Sequence, residues 1–353
     1  MYIDMSVGII TIYKSVNCGS YLQAYALGKA LEKIGVDGKF IEYKYSDHIS
    51  AKHKMIKNIF KMFLKGDFKG ISLLLDRITL FKRAVNDLNV IKPRNKMGCY
   101  IIGSDTLWDV SSKFFYKHHS FFWGMDFKNS KIISYAPSIG FSKEKDIEQC
   151  AFIKENLHKM YAVSVRDNNS KTFLQPYCDK EIKIVCDPTY LIERADYDSI
   201  AKPTDLKDFI FIYYYGKMPK EDRDVIKRFA KEKKLKTVVF GHTNQWCDMS
   251  LAYDPYLFLS LYDKADYIIT NTFHGTVFAT IYEKRFVVTK NDKPKIIDVL
   301  KMCGLSDKMA DSAENIHDIL SSDFDYDMVR GNILKERKKG FEYLTQVLEK
   351  DKK

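Results

Sequence analysis

Two short runs of β-branched and aromatic residues, Tyr267–Thr270 and Phe286–Thr289, have the pattern of buried strands. Between them lie the polar turn NTFHGT and the segment VFATIYEK, whose apolar residues recur at helical spacing. Strand, turn, helix and strand in this order predict a βαβ unit. Its turn lies at the carboxyl end of the first strand, the edge where open parallel sheets bind ligands.

The amino-terminal half shows the same alternation of strands and helices. Ser6–Tyr13 predicts a first strand, residues 21–35 predict a helix that stops at Gly35, and Lys39–Tyr45 predicts the next strand. Further strands, each ending in a small polar cluster, are predicted near residues 99–103, 131–135 and 162–165. A second α/β pattern begins at Phe209, after a linker near 203–207.

This pattern predicts an α/β protein with two Rossmann-like domains. The first occupies residues 1–190 and contains a basic helical insertion at about 50–90, and the second occupies 205–325. A long charged helix follows at 326–353. The dinucleotide fingerprint GxGxxG and the P-loop motif do not occur in the sequence.

The net charge of +11 is concentrated in the insertion. Residues 52–83 contain nine lysines and arginines against two aspartates. The basic residues fall on an amphipathic helical pattern, which leaves three interpretations open: a solvated lysine-rich face, a surface for anionic lipid, or a surface for a phosphate backbone. We expect peripheral contact with an anionic membrane through residues 52–83, and we do not expect nucleic acid as a partner.

The remaining composition points to the cytoplasm, with the inner face of the membrane as the place of any peripheral contact. No run of ~18 apolar residues is long enough to span a bilayer. The amino terminus has the pattern of a first strand rather than of a signal peptide. The seven cysteines are scattered and lack CxxC spacing, which favours a reducing compartment without a zinc site.

His274 is the leading candidate for chemistry. It stands with Asn271, Thr272, Gly275 and Thr276 at the predicted start of a helix. Helix N-termini attract anions, and a histidine beside an anion can exchange protons near neutral pH. The alternative is an ordinary turn histidine beside a helix cap. In the first domain, the strand-end rule selects Ser104, Asp105, Ser134, Ser138 and Arg166, and a helix cap is the favoured interpretation of Ser134 and Ser138.

Six ordered motifs resemble those of the polysaccharide pyruvyl transferase family. They are NCGSYLQAYAL (17–27), GSDTLW (103–108), SYAPSIG (134–140), SVRD (164–167), CDPTYLI (186–192) and ADYIITNTFHGTVFATIYEKRF (265–286). The resemblance implies a GT-B-like arrangement, in which two Rossmann-like domains face each other across a cleft and the terminal helix returns to the first domain. It also implies transfer of a pyruvyl group from phosphoenolpyruvate to sugar hydroxyls of a polysaccharide or lipid-linked glycan precursor, giving a pyruvate ketal.

The resemblance also suggests roles for particular residues. His274 and Arg166 are the expected catalytic pair, facing each other across the cleft with an anion site between them. Lys293 and Lys295 join Asn271, Thr272, Gly275 and Thr276 as the expected donor site, since phosphoenolpyruvate carries two anionic groups. Arginine is expected near 295, where this chain has lysine. The expected acceptor site consists of Asn17, Gly19, Ser104 and Asp105, and no metal or cofactor is implied beyond phosphoenolpyruvate as co-substrate.

Two other functions remain open at this point. One is a GT-B-like glycosyltransferase that uses a nucleotide sugar. The other is a non-catalytic protein that binds anions or nucleic acid through the basic segment.

Overall fold

The computed structural model describes residues 5–43, 48–93, 97–241, 243–289 and 293–349. Two parallel five-stranded sheets organise the chain. The first has the order β3-β2-β1-β4-β5, with β1 Met5–Ile10, β2 Val36–Ile41, β3 Val90–Ile91, β4 Cys99–Ile102 and β5 Lys131–Ser134. The second has the order β10-β9-β8-β11-β12, with β8 Phe209–Tyr213, β9 Lys236–Phe240, β10 Met249–Leu251, β11 Tyr267–Thr270 and β12 Arg285–Val288.

A small two-stranded sheet extends the first domain beside β5. It consists of β6 Ser164–Val165 and β7 Lys183–Ile184, and a bridge between Ile133 and Ala162 joins it to the larger sheet. The prediction of an α/β fold with two Rossmann-like units is confirmed. The predicted boundaries near 190 and 205 stay predictions.

Helices connect the parallel strands, as crossover topology requires. The helices of the first domain are α1 Cys18–Lys33, α2 His48–Leu64, α3 Phe68–Asn86, α4 Lys113–Lys117, α5 His119–Phe122, α6 Glu144–Glu148, α7 Ala151–Lys159, α8 Asn168–Leu174 and α9 Arg194–Asp198. Those that follow are α10 Lys220–Lys233, α11 Pro255–Lys264, α12 Phe273–Ile281, α13 Pro294–Cys303, α14 Ala313–Ser321 and α15 Tyr326–Glu349.

The strands are buried because helices cover both faces of each sheet. In β1, the side chains of Val7, Ile9 and Ile10 are fully buried, and all five residues of β8 are buried. One apolar core runs from the first sheet into the second domain. The packing therefore fixes the carboxyl ends of both sets of strands relative to each other.

The terminal helix α15 returns to the first domain. The Tyr343 hydroxyl donates to the carbonyl of Ser134 at the end of β5, at 2.9 Å, and Arg337 Nε donates to the carbonyl of Tyr190 at 2.8 Å. Gly340 permits this close approach, since a Cβ there would lie 2.6 Å from the Tyr135 hydroxyl. Residues 350–353 of the predicted helix lie outside the described ranges.

The predicted basic insertion is the helical pair α2–α3, and its inner side contacts both domains. Phe81 of α3 stacks on Tyr253 of the second domain, with ring centroids 5.7 Å apart. Asp67 caps α3 by accepting from the Gly70 amide and also accepts from the Thr243 hydroxyl at 2.9 Å. The insertion is therefore part of the domain interface rather than a solvated appendage.

Candidate active site

A cleft of about 710 Å³ opens between the carboxyl ends of the two sheets. The first domain contributes Asn17, Ser20 and Asp105, which follow β1 and β4, and the second contributes Thr272, His274 and Lys295, which follow β11 and β12. Both sets of strand ends were predicted to carry the functional side chains, and the fold brings them into one cavity.

His274 occupies the first turn of α12. Thr272 caps this helix by accepting from the Gly275 amide at 3.0 Å. The imidazole packs against the start of α1, where a Cβ on Gly19 would lie 2.2 Å from Nδ1. A glycine is therefore required at position 19 for the ring to take this place. The ring is largely buried yet borders the cleft, and its Nε2 has no hydrogen-bond partner among the residues that the structure describes.

Arg166 lies beneath the cleft floor with its side chain 1% exposed. Its Nη1 donates to Asp187 Oδ2 at 2.8 Å, and its Nη2 donates to Asp105 Oδ1 at 3.3 Å. The guanidinium also lies over the ring of Phe273, 4.4 Å from the centroid. The Asp187 and Asp105 carboxylates therefore bind the guanidinium N–H groups that were predicted to bind an anionic substrate.

Asp187 stands between Arg166 and His274. Its Oδ2 is 3.9 Å from His274 Nε2 and also accepts from the Ser104 hydroxyl at 3.1 Å. Its Oδ1 accepts from the amide and the hydroxyl of Thr189. Arg166 and His274 come together as expected, but the anion between them is a carboxylate of the chain itself rather than an open anion site.

The electrostatics follow from this arrangement. Burial would raise the pKa values of Asp105 and Asp187, but the positive charges of Arg166 and His274 outweigh it and hold both pKa values below their usual range. Burial lowers the pKa of His274, and Arg166 and Lys295 lower it further, against the opposing effect of Asp187 and Asp105. The carboxylates are therefore ionised near neutral pH, and the imidazole is neutral and able to accept a proton.

Two lysines border the cleft at the start of α13, where Lys293 is the N-cap and Lys295 lies in the first turn. Lys295 Nζ lies 5.9 Å from the ring centroid of Phe273 and 6.0 Å from that of Phe141. Burial and the nearby Arg166 charge lower the pKa of Lys295 to about 8. Lys293 Nζ donates to the carbonyl of Asn271 at 3.3 Å. Both lysines were predicted from the sequence, and both lie at the cleft.

Other predicted residues make supporting contacts, although Asn17 also lines the cleft. Asn271 exchanges hydrogen bonds with the backbone of Tyr215, and Thr276 donates to the carbonyl of Thr272. Asn17 caps α1 by accepting from the amides of Gly19 and Ser20. Ser104 is fully buried against Asp187. These contacts fix the two helix N-termini that meet at the cleft.

Several residues of the site were missed by the sequence analysis. Asp187 lies three residues after the end of β7, so the strand-end rule applied to CDPTYLI could have selected it. Ser20 donates to Asp105 Oδ2 at 2.7 Å. Arg77 reaches the cleft from α3, lies 4.5 Å over the ring of Tyr253 and donates from Nη2 to the carbonyl of Val16. No local sequence signal marks Arg77.

Aromatic side chains also line the cleft. Tyr213 and Tyr253 stack with their ring centroids 6.2 Å apart and share a hydrogen bond of 2.7 Å between their hydroxyls. Phe141 and Tyr215 are among the exposed apolar or aromatic side chains of the molecule and border the same cavity. Within the described ranges, no group of three histidine, cysteine, aspartate or glutamate side chains is spaced to hold a metal ion.

Comparisons with known proteins agree with this architecture. A family model for polysaccharide pyruvyl transferases matches residues 17–293. The structure of the UDP-GlcNAc 2-epimerase from Neisseria meningitidis bound to UDP-GlcNAc superposes with a TM-score of 0.54 at 10% identity, covering 98% of this chain and 99% of that one. A Listeria monocytogenes protein assigned as a UDP-N-acetylglucosamine 2-epimerase superposes with a TM-score of 0.53 at 8% identity, covering 92% and 90%. A comparison with curated protein sequences found no significant match.

The structural matches concern the fold alone. At such low identity they support the GT-B-like arrangement of two domains that the sequence predicts. The family match covers most of the chain and includes every residue of the site discussed above except Lys295, which lies two positions beyond its end.

Proposed function

The chain belongs to the polysaccharide pyruvyl transferase family, and from that premise we propose that it transfers a pyruvyl group from phosphoenolpyruvate to sugar hydroxyls of a polysaccharide or lipid-linked glycan, forming a pyruvate ketal. One observation carries the proposal. A neutral histidine at a helix N-terminus shares one cleft with a cationic side, formed by Lys293 and Lys295, and with the Asp105 carboxylate. The proposal requires no metal and no cofactor.

The cationic side suits the donor. Phosphoenolpyruvate presents a phosphate and a carboxylate, and each needs positive charge or N–H donors. Lys293 and Lys295 border the cleft beside α12, and the first N–H groups of that helix have no intrahelical partner. The positive end of the α12 dipole adds to the same field. We assign the donor anions to this side.

The reaction is a sequence of additions and proton transfers with no net oxidation. One sugar hydroxyl adds to the enol carbon that bears the phosphate, while the methylene carbon gains a proton and becomes a methyl group. Phosphate then leaves with the electron pair of its C–O bond, and a second hydroxyl of the same sugar closes the ketal. Of the two hydroxyl protons, one balances the new methyl group and the other leaves with phosphate.

His274 is the group assigned to these proton transfers. Its lowered pKa makes the imidazole an acceptor for the proton of the attacking hydroxyl. The imidazolium that forms lies 3.9 Å from the ionised Asp187, which stabilises the new charge. Arg166 does not reach the substrate in this assignment. It positions Asp105 and Asp187 and keeps both ionised.

Other residues that line the cleft suit a sugar. Asp105 can accept hydrogen bonds from the acceptor hydroxyls, and Ser20 and Arg166 hold its carboxylate in place. The rings of Tyr213 and Tyr253 offer an apolar surface with polar tips, which suits the mixed surface of a sugar ring. Arg77 also borders the cleft and brings a further positive charge to it.

Donor choice tests the proposal against the glycosyltransferase alternative. Phosphoenolpyruvate should raise the melting temperature of the purified chain in a concentration-dependent way, because a ligand that binds only the folded state stabilises it. UDP-GlcNAc at equal concentrations should leave the melting temperature unchanged. If UDP-GlcNAc raises the melting temperature and phosphoenolpyruvate does not, the result contradicts the proposal and favours a glycosyltransferase that uses a nucleotide sugar.

The pH dependence of donor binding is expected to follow Lys295. Its pKa of about 8 means that the free enzyme loses this positive charge as the pH rises through that value. The KM for phosphoenolpyruvate should therefore rise on the alkaline side of pH 8. Lys295→Arg should move this rise to higher pH, because a guanidinium stays protonated. Steady-state kinetics on both sides of pH 8 measure the effect.

The control is Lys301→Arg, on an exposed lysine of the same helix. This variant should keep the pH profile of the wild-type chain. If the KM for phosphoenolpyruvate depends on pH in the same way in the wild-type chain and in Lys295→Arg, Lys295 does not bind the donor.

A further inference from the structure

An exposed apolar patch covers the outer side of the α2–α3 pair. Within α2, Ile56, Phe60 and Leu64 follow each other at i, i+4 spacing, which places them on one face of the helix. Their exposed fractions run from 56% for Ile56 to 69% for Leu64. Phe63 and Phe68 extend the patch across the turn into α3, with their rings in edge contact at 5.9 Å. Large apolar side chains gathered in this way mark an interaction surface.

A stripe of lysines runs beside the apolar face. Lys57, Lys61 and Lys65 are exposed and share the same i, i+4 spacing, one residue further along the helix, and Lys69 follows in α3. The acidic residue nearest this turn, Asp67, is engaged as the α3 cap and by Thr243. Apolar and cationic stripes side by side are typical of helices that lie in the interface of an anionic bilayer.

The patch is structurally joined to the cleft. The same helix α3 whose start carries Phe68 places Arg77 in the cleft and Phe81 against Tyr253. One helix, α3, therefore connects the patch to the cleft.

We propose that the α2–α3 pair seats the chain on the surface of an anionic bilayer and that the acceptor is a lipid-linked glycan held in that bilayer. The apolar side chains enter the headgroup region and the lysines contact anionic lipid headgroups. The claim that the acceptor is a lipid-linked glycan rests on the proposed function. Among the described helices, none is long and apolar enough to cross a bilayer, so the contact is peripheral.

Charge favours a bilayer over a second copy of the chain. In a symmetric dimer formed through this patch, the same surface appears on both protomers, so the lysine stripes would face each other. Anionic headgroups complement the lysines along the whole stripe. A phosphate backbone would use the lysines but leave Phe60, Phe63 and Leu64 exposed to water.

The experiment is co-sedimentation of the full chain with vesicles of phosphatidylglycerol and phosphatidylcholine, compared with vesicles of phosphatidylcholine alone. The wild-type chain should bind the anionic vesicles more tightly, and the binding should weaken as salt is added. Lys57→Glu/Lys61→Glu should lower the partition coefficient by roughly 30-fold or more, since each lysine near such a surface contributes on the order of a fivefold effect. Phe60→Ser/Leu64→Ser should weaken binding to the same vesicles.

The matched control is Lys227→Glu/Lys231→Glu, which reverses two exposed lysines at the same spacing on α10. Its net charge equals that of the α2 variant, and it should bind anionic vesicles like the wild-type chain. Equal binding by the two charge variants, or no binding by the wild-type chain, overturns the proposal. Conversion of a dimer to a monomer by Phe60→Ser/Leu64→Ser, measured by light scattering, would assign the patch to self-association instead and also overturns it.

Failure of this proposal is distinguishable from failure of the proposed function. Vesicle binding requires no turnover, so it can be present in a chain that does not use phosphoenolpyruvate. Conversely, the α2 charge variant should release phosphate from phosphoenolpyruvate at the wild-type rate with a water-soluble glycan acceptor. It should lose rate only with an acceptor embedded in anionic vesicles. If the α2 charge variant and the wild-type chain have equal rates on the embedded acceptor, the patch has no role in bringing the acceptor to the cleft.

Discussion

His274→Ala is expected to lower the rate of pyruvyl transfer by about 10²–10⁴-fold, the usual contribution of a positioned acid or base. The imidazole is neutral near neutral pH, borders the cleft and lies beside an ionised carboxylate, so its removal takes away the proton acceptor. The fold should survive, because alanine is well accommodated in a helix such as α12. Phosphate release from phosphoenolpyruvate in the presence of a glycan acceptor measures the rate.

Binding of the donor separates a chemical role from a structural one. His274→Ala should bind phosphoenolpyruvate with an affinity near that of the wild-type chain, since Lys293 and Lys295 remain at the cleft. His317→Ala is the matched control, because His317 also lies beside a carboxylate, Glu232, but on the surface. It should be fully active. A normal rate in His274→Ala would leave the histidine with a packing role only.

The second large effect is expected on stability. Arg166→Met should lower the free energy of unfolding by about 3–5 kcal/mol, because it leaves Asp105 and Asp187 buried without their common counter-ion. Combining it with Asp105→Asn and Asp187→Asn should recover much of the loss, since no uncompensated charge then remains. Urea-induced unfolding followed by circular dichroism measures the difference.

The effect has a defined pH dependence. In the wild-type chain, the pKa values of Asp105 and Asp187 lie below those of the unfolded chain. The stability that these carboxylates contribute is therefore present above their unfolded pKa values and is lost as the pH falls through the folded ones. Without Arg166 much of this contribution is lost, while His274 still lowers both pKa values. The difference between Arg166→Met and the wild-type chain should therefore shrink towards acid pH.

Arg330→Met supplies the control for burial. Arg330 also bridges two carboxylates, Glu283 and Asp327, but it does so in solvent. Exposed ion pairs contribute little, so this variant should unfold close to the wild-type chain. Equal losses for Arg166→Met and Arg330→Met would show that the buried network around Asp187 does not carry the expected charge.

The sequence predicted the position of His274 because the signals for it are local. A β-branched run, a polar turn and a helical repeat fall within about twenty residues, and a helix start after a parallel strand always faces the ligand edge of the sheet. Lys293 and Lys295 were found from the family resemblance, and the structure places both at the cleft. The two-domain α/β fold was predictable for the same reason, since each strand and helix has its own periodicity.

The partners of Arg166 could not be predicted in the same way. Asp105 and Asp187 are 61 and 21 residues away in the chain, and their contact with Arg166 depends on how β4, β6 and β7 pack. A strand-end arginine has the same pattern whether it faces a substrate or two buried carboxylates. The difference changes the expected role of Arg166 from anion binding to positioning.

The α2–α3 pair shows a second limit of sequence analysis. Helical periodicity identified a basic amphipathic segment, but it could not tell which face packs inward. Ile59 is half-buried, whereas Ile56, Phe60 and Leu64 are exposed, and Arg77 enters the cleft from α3. Such contacts between distant segments are decided by tertiary packing, which leaves no periodic signal in the sequence.

The most direct measurement is mass spectrometry of a lipid-linked or polysaccharide glycan acceptor incubated with the chain and phosphoenolpyruvate. The account predicts a product heavier than the acceptor by pyruvic acid less one water, with one phosphate released per ketal, and no product from His274→Ala on the same timescale. Transfer of a sugar from UDP-GlcNAc to the acceptor, with phosphoenolpyruvate left intact, would contradict it.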